Sequence, residues 1–186
     1  MTFQTDLSST CMCCADLLRG GFSRRRFMQG AAAAGAMMAM PAPVALAASG
    51  NYDAMVLGCI DPRLQEPMHR YTARRGLTGK FSQFIIAGAV VGVVAEPFKD
   101  WHKAFWDNLA ITVQLHKIKR VIGLTHRDCG AAFVAYGEAL RTDKALETAK
   151  QSEALRQFRA GVGQRHPTLA VDTGIMDLNG AVEVVA

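Results

Sequence analysis

Five side chains with metal-binding or acid–base chemistry occur in two short segments of the sequence. The segment GCIDPRL contains Cys59, Asp61 and Arg63, and the segment HRDCG contains His126 and Cys129. Two thiolates and one imidazole form a ligand set for a tetrahedral Zn²⁺ ion with one coordination position left open. Because an open position is typical of catalytic zinc, the segments predict a catalytic metal centre, provided that they meet in the fold.

Asp61 and Arg63 follow Cys59 in the same predicted loop. A carboxylate beside zinc can bind the ion and occupy its open position. It can instead pair with Arg63 and accept the proton of a water molecule. The two residues therefore predict a gate, with an open site when Asp61 is on Arg63 and a closed site when it is on zinc. The alternative is an ordinary loop salt bridge, which contributes about 0–1 kcal/mol when exposed.

The cysteines permit a second interpretation. Beyond residue 48 the chain contains only Cys59 and Cys129. In an oxidising compartment these two can form a disulfide, either as a structural link or as a redox pair. They do not form a Cys-x-x-Cys motif, and a disulfide leaves the neighbouring carboxylate, guanidinium and imidazole without a role. A non-catalytic zinc protein is a third interpretation.

The elements that must position these groups follow from the hydrophobic pattern. The predicted order begins with a strand at 53–57, a helix at 66–76 and a strand at 81–94 that runs into a Gly/Ala-rich segment. It continues with a helix at 100–119, a strand at 120–125, helical sequence from 131 onward with one break, and a hairpin at 168–185 with an Asn-Gly turn. This order predicts an α/β fold with a mostly parallel central sheet, an antiparallel edge strand and helices on both faces.

Both chemical segments follow predicted strands directly. In open α/β sheets, ligands bind outside the carboxyl ends of strands, where the strand order reverses. If the first and third strands are neighbours, we expect Cys59, His126 and Cys129 to converge on one point.

The first 47 residues are predicted to be an export signal and not part of the fold. The basic cluster SRRRFM precedes an apolar stretch, and Ala45-Leu46-Ala47 offers a small-x-small cleavage pattern. The paired arginines resemble a twin-arginine signal, a route that exports folded proteins. We therefore expect a signal peptide at 1–47, a single domain at 48–186, and a periplasmic or secreted protein that meets the membrane only through the export machinery. We assign no function to the leader cysteines, Cys11, Cys13 and Cys14.

The remaining charged and imidazole groups predict no further site. The net charge is +5, and there is no basic stripe with interleaved aromatic residues, so no nucleic-acid partner is expected. Asp128 is expected to cap the helix that begins near Gly130. Surface or packing roles are expected for the other histidines, which are His69, His102, His116 and His166.

Taken together, the two segments resemble the signature of the β-class carbonic anhydrases. The matching patterns are Cys-x-Asp-x-Arg at 59–63 and His-x-x-Cys-Gly at 126–130. The helix and strand before the second pattern, and the closing hairpin, are also similar to that family's arrangement. The resemblance covers roughly residues 52–186.

The resemblance implies one Zn²⁺ ion per chain on Cys59, His126 and Cys129, with Asp61 and Arg63 as a catalytic dyad. The implied reaction is the reversible hydration of carbon dioxide to bicarbonate by a zinc-bound hydroxide. The implied partners are this small-molecule substrate and further copies of the chain, in a homodimer or a higher homo-oligomer.

One segment departs from the family pattern. Where the family commonly has Arg-Asn-Ala-Gly, this chain has FIIAGAVVG, which keeps only the Ala-Gly pair. The wall of the site is therefore expected to be more apolar than usual. An apolar wall suits carbon dioxide, and it also suits carbonyl sulfide or carbon disulfide, which some relatives hydrolyse.

Overall fold

The computed structural model describes residues 50–185, and the predicted signal segment with its three cysteines lies outside them. The strands are β1 (Ala54–Gly58), β2 (Phe81–Ile85), β3 (Arg120–His126), β4 (Ala170–Met176) and β5 (Val182–Val184). The helices are α1 (Gln65–Arg74), α2 (Val90–Val94), α3 (Lys99–His116), α4 (Gly130–Tyr136) and α5 (Lys144–Arg165). Within the described range, no helix combines the length and the apolar character needed to cross a membrane.

The five strands form one sheet in the order β2-β1-β3-β4-β5. The first four strands are parallel, and β4 pairs with β5 in antiparallel register. The predicted α/β fold with a mostly parallel sheet and an antiparallel edge is thus confirmed. Because β2 and β3 lie on opposite sides of β1, the strand order reverses at β1, which places a ligand-binding crevice at the carboxyl ends of β1 and β3.

The sheet is covered on both faces because alternate residues of a strand point to opposite sides. Met55 and Leu57 of β1 belong to a core cluster with residues of α2, α3 and α5. Val56 belongs to a second cluster, together with Leu64 and Met68 from the segment around α1. All five β1 residues are buried, which explains why the strand appears in the sequence as a continuous apolar run.

One stretch differs from the sequence-based expectation. The second strand ends at Ile85, and the apolar residues Val90–Val94 form a short helix. The chain turns between them, with φ of +76° at Gly88 and +50° at Ala89. The helical sequence after residue 130 has the expected break, because Gly137, at φ +101°, separates α4 from the turn that precedes α5. The positive φ angles at these residues set the limits of β2, α2 and α4.

Candidate metal centre and acid–base pair

The carboxyl ends of β1 and β3 bring three ligand-type side chains together. Cys59 follows β1, His126 is the last residue of β3, and Cys129 is the residue before α4. The two Sγ atoms and an imidazole nitrogen lie within 4.8 Å of one another, a group that could hold a metal ion. The convergence follows from the parallel pairing of β1 with β3, which sets Leu57 beside Gly123.

His126 is fully buried, and its two ring nitrogens have different surroundings. Its Nδ1 lies 2.9 Å from the backbone oxygen of Arg127. A carbonyl oxygen can only accept, so Nδ1 carries the proton and Nε2 presents a lone pair. This Nε2 atom is buried and has no hydrogen-bond partner among residues 50–185. A histidine held by its Nδ1–H on a backbone carbonyl, with Nε2 free, has the orientation that metal-binding histidines adopt.

Cys59 and Cys129 are free thiols in the structure and interact directly. A hydrogen bond from the Cys129 thiol, opposed by burial and assisted by His126, lowers the pKa of Cys59 to about 4. Donation to Cys59, together with burial, raises the pKa of Cys129 well above its usual value. The two shifts oppose each other because one thiol donates to the other, and a bound divalent cation would favour loss of the donated proton.

The backbone of the turn after β2 also faces this sulfur pair. The Gly88 N–H donates to Cys59 Sγ at 3.2 Å. A Cβ atom at Gly88 would come within 2.9 Å of the Ala131 Cβ atom and 3.2 Å of the Gly92 nitrogen. Glycine is therefore needed here for two reasons, the positive φ and the close approach.

Asp61 and Arg63 form a tight ion pair beside the sulfur atoms. Asp61 caps the short 3₁₀ turn Pro62–Leu64 by accepting the Arg63 backbone N–H at 2.9 Å. This turn brings both side chains to the same side, where Arg63 Nη2 donates to Asp61 Oδ2 at 2.7 Å and Nε donates to Oδ1 at 3.0 Å. These bonds outweigh partial burial and lower the pKa of Asp61 to about 2. Asp61 is thus an ionised acceptor held on Arg63.

Arg63 also reaches the second ligand loop. Its Nη1 donates to Asp128 Oδ2 at 2.7 Å, and its Nη2 donates to the Asp128 backbone oxygen at 3.0 Å. The expectation that Asp128 caps the following helix is wrong, because α4 has no side-chain cap. At φ +57° the Asp128 backbone turns the carboxylate toward Arg63. One guanidinium therefore joins the two loops.

The loop after β3 rests on buried polar residues of α5. Glu147 Oε1 accepts the Asp128 backbone N–H at 2.8 Å, and Gln151 Nε2 donates to the His126 backbone oxygen at 2.8 Å. Arg127 lies between Glu147 and Glu183, with Nη–Oε distances of 3.3 and 2.8 Å. Glu147 and Gln151 are both buried. The sequence did not predict their burial, because α5 has no clear apolar stripe. Their i, i+4 spacing indicated only that they share one face of the helix.

A cavity of about 450 Å³ extends from Cys59 between α1 and β2. Its wall includes the apolar residues Ile60, Leu64 and Ile85, and it also includes His69 and Gln83. The other histidines have separate contacts: His116 bonds Ser82 Oγ at 2.6 Å, and His102 bonds the Ala95 backbone oxygen at 3.1 Å.

Sequence comparisons give two findings. A family model described as the twin-arginine translocation pathway signal sequence matches residues 21–41. An uncharacterised protein of Rickettsia conorii is 30% identical over 131 residues, which are 70% of this chain and 70% of that protein. An uncharacterised protein of Rickettsia bellii is 31% identical over 131 residues, covering 70% of this chain and 80% of its own length.

A solved structure resembles the chain over most of its length. It is the crystal structure of the β-carbonic anhydrase CafA of Aspergillus fumigatus, with 16% sequence identity and a TM-score of 0.51. The likeness covers 92% of this chain and 89% of that chain. At this identity it shows a shared fold, and the fold resemblance expected from the two sequence patterns is confirmed.

Proposed function

Since the chain belongs to the same family as the two rickettsial proteins and has the β-carbonic anhydrase fold, we propose that it is a zinc enzyme that catalyses the reversible hydration of carbon dioxide to bicarbonate. The observation that carries this proposal is the group of two thiols and an imidazole nitrogen, which has no partner within residues 50–185, beside an ionised Asp–Arg pair. The group supplies the ligands, and the pair supplies an acceptor for protons.

The donor set fits Zn²⁺, one ion per chain. Cys59, His126 and Cys129 offer two sulfurs and one nitrogen, which zinc prefers, and three protein ligands leave a fourth position open. Carboxylate-preferring ions such as Mg²⁺ fit this set poorly. When bound, zinc supplies Lewis-acid activation of a water molecule for attack on carbon dioxide.

The Asp61–Arg63 pair has two tasks in the proposed reaction. Held on Arg63, Asp61 stays away from the metal ligands and keeps the fourth position free. Its carboxylate is ionised at neutral pH and can accept a hydrogen bond or a proton from a water molecule nearby. The Arg63–Asp128 bonds fix the guanidinium that holds it.

A second candidate reaction is the hydrolysis of carbonyl sulfide or carbon disulfide at the same centre. The adjoining cavity suits these apolar substrates, because its wall contains Ile60 and Ile85 and the segment after β2 has no arginine or asparagine. Carbon dioxide, carbonyl sulfide and carbon disulfide are all linear and uncharged, so the wall alone does not select among them. Release of hydrogen sulfide from carbonyl sulfide in buffered solution would identify this reaction.

The proposal also covers the location of the protein and its oligomeric state. The match to a twin-arginine signal supports export of the folded domain, residues 48–186, after removal of residues 1–47. We propose a periplasmic or secreted location and a homodimer or a higher homo-oligomer.

The test combines metal analysis with stopped-flow measurement of carbon dioxide hydration. We expect about one zinc per chain in the wild-type protein, and loss of both zinc and activity in Cys59→Ser and His126→Ala. Asp61→Asn is expected to keep zinc and to lower kcat/KM by about 100-fold, the usual contribution of a positioned proton acceptor.

Two matched variants serve as controls. His166→Ala removes a histidine beyond the end of α5, and Asp172→Asn removes an arginine-paired aspartate in β4, on the sheet but away from its carboxyl ends. Both are expected to keep zinc and activity. A zinc-loaded wild-type protein that hydrates carbon dioxide no faster than buffer would reject the proposed reaction, and a protein without zinc would reject the metal centre.

A further inference from the structure

A second cavity lies at the edge of the sheet, beside the part of β4 that precedes its pairing with β5 at Gly174–Met176. Its volume is about 540 Å³. The charged and polar side chains in its wall are those of Tyr71, Arg75, Arg120, Arg159, Asp172 and Thr173. Three positive charges and one negative charge therefore border this cavity.

Asp172 neutralises only part of the positive charge. Its Oδ2 atom accepts from Arg75 Nη2 at 2.6 Å and from Arg120 Nη1 at 2.7 Å, and all three side chains are half-buried. Arg75 also donates to Tyr71 Oη at 2.7 Å. Since an arginine has five N–H donors, the side-chain hydrogen bonds within residues 50–185 use fewer than half of the donors of Arg75 and Arg120.

Arg159 reaches the same cavity from α5 without a carboxylate. It donates to the backbone oxygens of Val171 and Val185 at 2.6 and 3.2 Å, and to Thr173 Oγ1 at 2.6 Å. All of these acceptors are uncharged. The Arg159 Nε atom is buried and has no hydrogen-bond partner among residues 50–185. Because a buried charge is costly unless it is paired, an anion bound in the cavity would reduce this cost.

We propose that this cavity binds a small anion with two negative charges, of the phosphate monoester class. A phosphate group offers three acceptor oxygens and a charge close to −2, which matches three guanidinium groups and the charge that Asp172 leaves unpaired. The wall also contains Val182 and Val184 of β5, which give the organic part of such a ligand an apolar surface.

The cavity is distant from the candidate metal centre. Arg120 is the first residue of β3, and His126 is the last. At the rise of a parallel strand, their backbones lie about 20 Å apart. The inference therefore does not depend on the proposed reaction, and an anion bound at the metal centre can be distinguished from an anion bound here.

The first test is isothermal titration calorimetry of the zinc-loaded full chain with phenyl phosphate and with benzoate. We expect phenyl phosphate to bind at one site per chain with a Kd below about 1 mM, and at least about tenfold more tightly than benzoate, which carries one charge. A Kd for phenyl phosphate above about 10 mM would overturn the site. Benzoate that binds as tightly as phenyl phosphate, or more tightly, would overturn the ligand class.

The second test removes the guanidinium groups one at a time. Arg159→Gln and Arg120→Gln are each expected to weaken phenyl phosphate binding by at least about tenfold, because each loses a charged donor. The Arg120 side chain donates only to Asp172 within the described residues, so Arg120→Gln tests the site even if Arg159→Gln loses stability. Unchanged binding in Arg120→Gln would overturn the proposal.

Arg156→Gln is the matched control. Arg156 is an exposed arginine of α5 that does not line the cavity, and its removal is expected to change the Kd by less than about twofold. Weakening equal to that of Arg120→Gln would indicate a general effect of net charge and would overturn the site.

Cys59→Ser distinguishes this cavity from the candidate metal centre. The variant loses a candidate zinc ligand and is expected to bind phenyl phosphate with the wild-type Kd. Loss of phenyl phosphate binding together with zinc would place the anion at the metal centre and would overturn the inference. Neither result depends on whether the protein hydrates carbon dioxide.

Discussion

Removing the Glu147 carboxylate is the most direct test of how α5 supports the candidate metal centre. Glu147 is 5% exposed and accepts the Asp128 backbone N–H at 2.8 Å. It also accepts from Arg127, whose side chain is 13% exposed, and from Gln151. We therefore expect Glu147→Ala to remove an acceptor from all three donors, of which Arg127 and Gln151 keep other acceptors.

The expected cost follows from these contacts. Breaking a buried ion pair costs about 3–5 kcal/mol, because the remaining charge is left without its partner. Arg127 keeps its bonds to Glu183 and Thr148, which reduces the penalty. Since the Asp128 N–H also loses its acceptor, we expect the free energy of unfolding to fall by about 3 kcal/mol. The His126–Cys129 loop should loosen at the same time, and a loss of about 10–100-fold in zinc affinity is expected, as for other residues that hold metal ligands in place.

The assay is urea unfolding of the metal-free protein, followed by zinc titration against a competing chelator. Glu153→Ala is the matched control, because Glu153 lies on the same helix and its salt bridge with Lys150 is largely exposed. This control should change the free energy of unfolding by less than about 0.5 kcal/mol and should leave zinc affinity unchanged. Equal effects of the two substitutions would refute the idea that buried α5 side chains hold the ligand loop.

Two further predictions concern stability. Gly88→Ala and Gly79→Ala both place a Cβ atom at a positive φ, but only the Cβ atom at Gly88 would meet neighbouring atoms. We therefore expect the free energy of unfolding in urea to fall by about 3 kcal/mol in Gly88→Ala and by about 1 kcal/mol in Gly79→Ala. Equal decreases would show that the contact with Ala131 is relieved without cost. For Asp172, burial acts to raise the pKa, but hydrogen bonds from Arg75 and Arg120 outweigh it and lower the pKa below its usual value. Because the pKa of Asp172 is lower in the folded state than in the unfolded state, where it is near 4, the ionised carboxylate stabilises the fold when the pH is above about 4. This stabilisation disappears as the pH falls through the pKa of the folded state. Asp172→Asn should therefore destabilise at pH 7 and make little difference near pH 2; a deficit that is constant from pH 7 to pH 2 would contradict this linkage.

Much of the fold could be predicted because β1 and β3 are buried on both faces and carry continuous apolar runs. The segment after β2 was harder, since Val90–Val94 would suit a strand or a helix by composition, and the backbone turn at Gly88 and Ala89 decides between them. Short apolar runs do not distinguish these states by periodicity alone.

Only the candidate metal ligands and the Asp61–Arg63 pair of the site could be predicted from the sequence. Cys59, Asp61 and Arg63 lie close in sequence, and the strand-end rule related them to His126 and Cys129. The side chains that hold the loop after β3 could not be predicted, because in the sequence Glu147 and Gln151 resemble ordinary surface residues of a polar helix. Asp128 was assigned to the wrong contact because Asp before a helix usually caps it, and the positive φ at Asp128, which directs it to Arg63, depends on tertiary structure.

Arg63 and Asp128, which are bonded to each other, lie 65 residues apart in the sequence. The candidate ligands come from the same two segments, Cys59 from the first and His126 with Cys129 from the second. No part of a nascent chain that ends before Cys129 contains a complete ligand set. Binding of an ion would therefore require that β1 and β3 have already paired, and a chain in which they had not paired would not bind it. The twin-arginine signal matched at 21–41 belongs to a route that exports folded proteins, so we expect the proposed metal ion to bind before export.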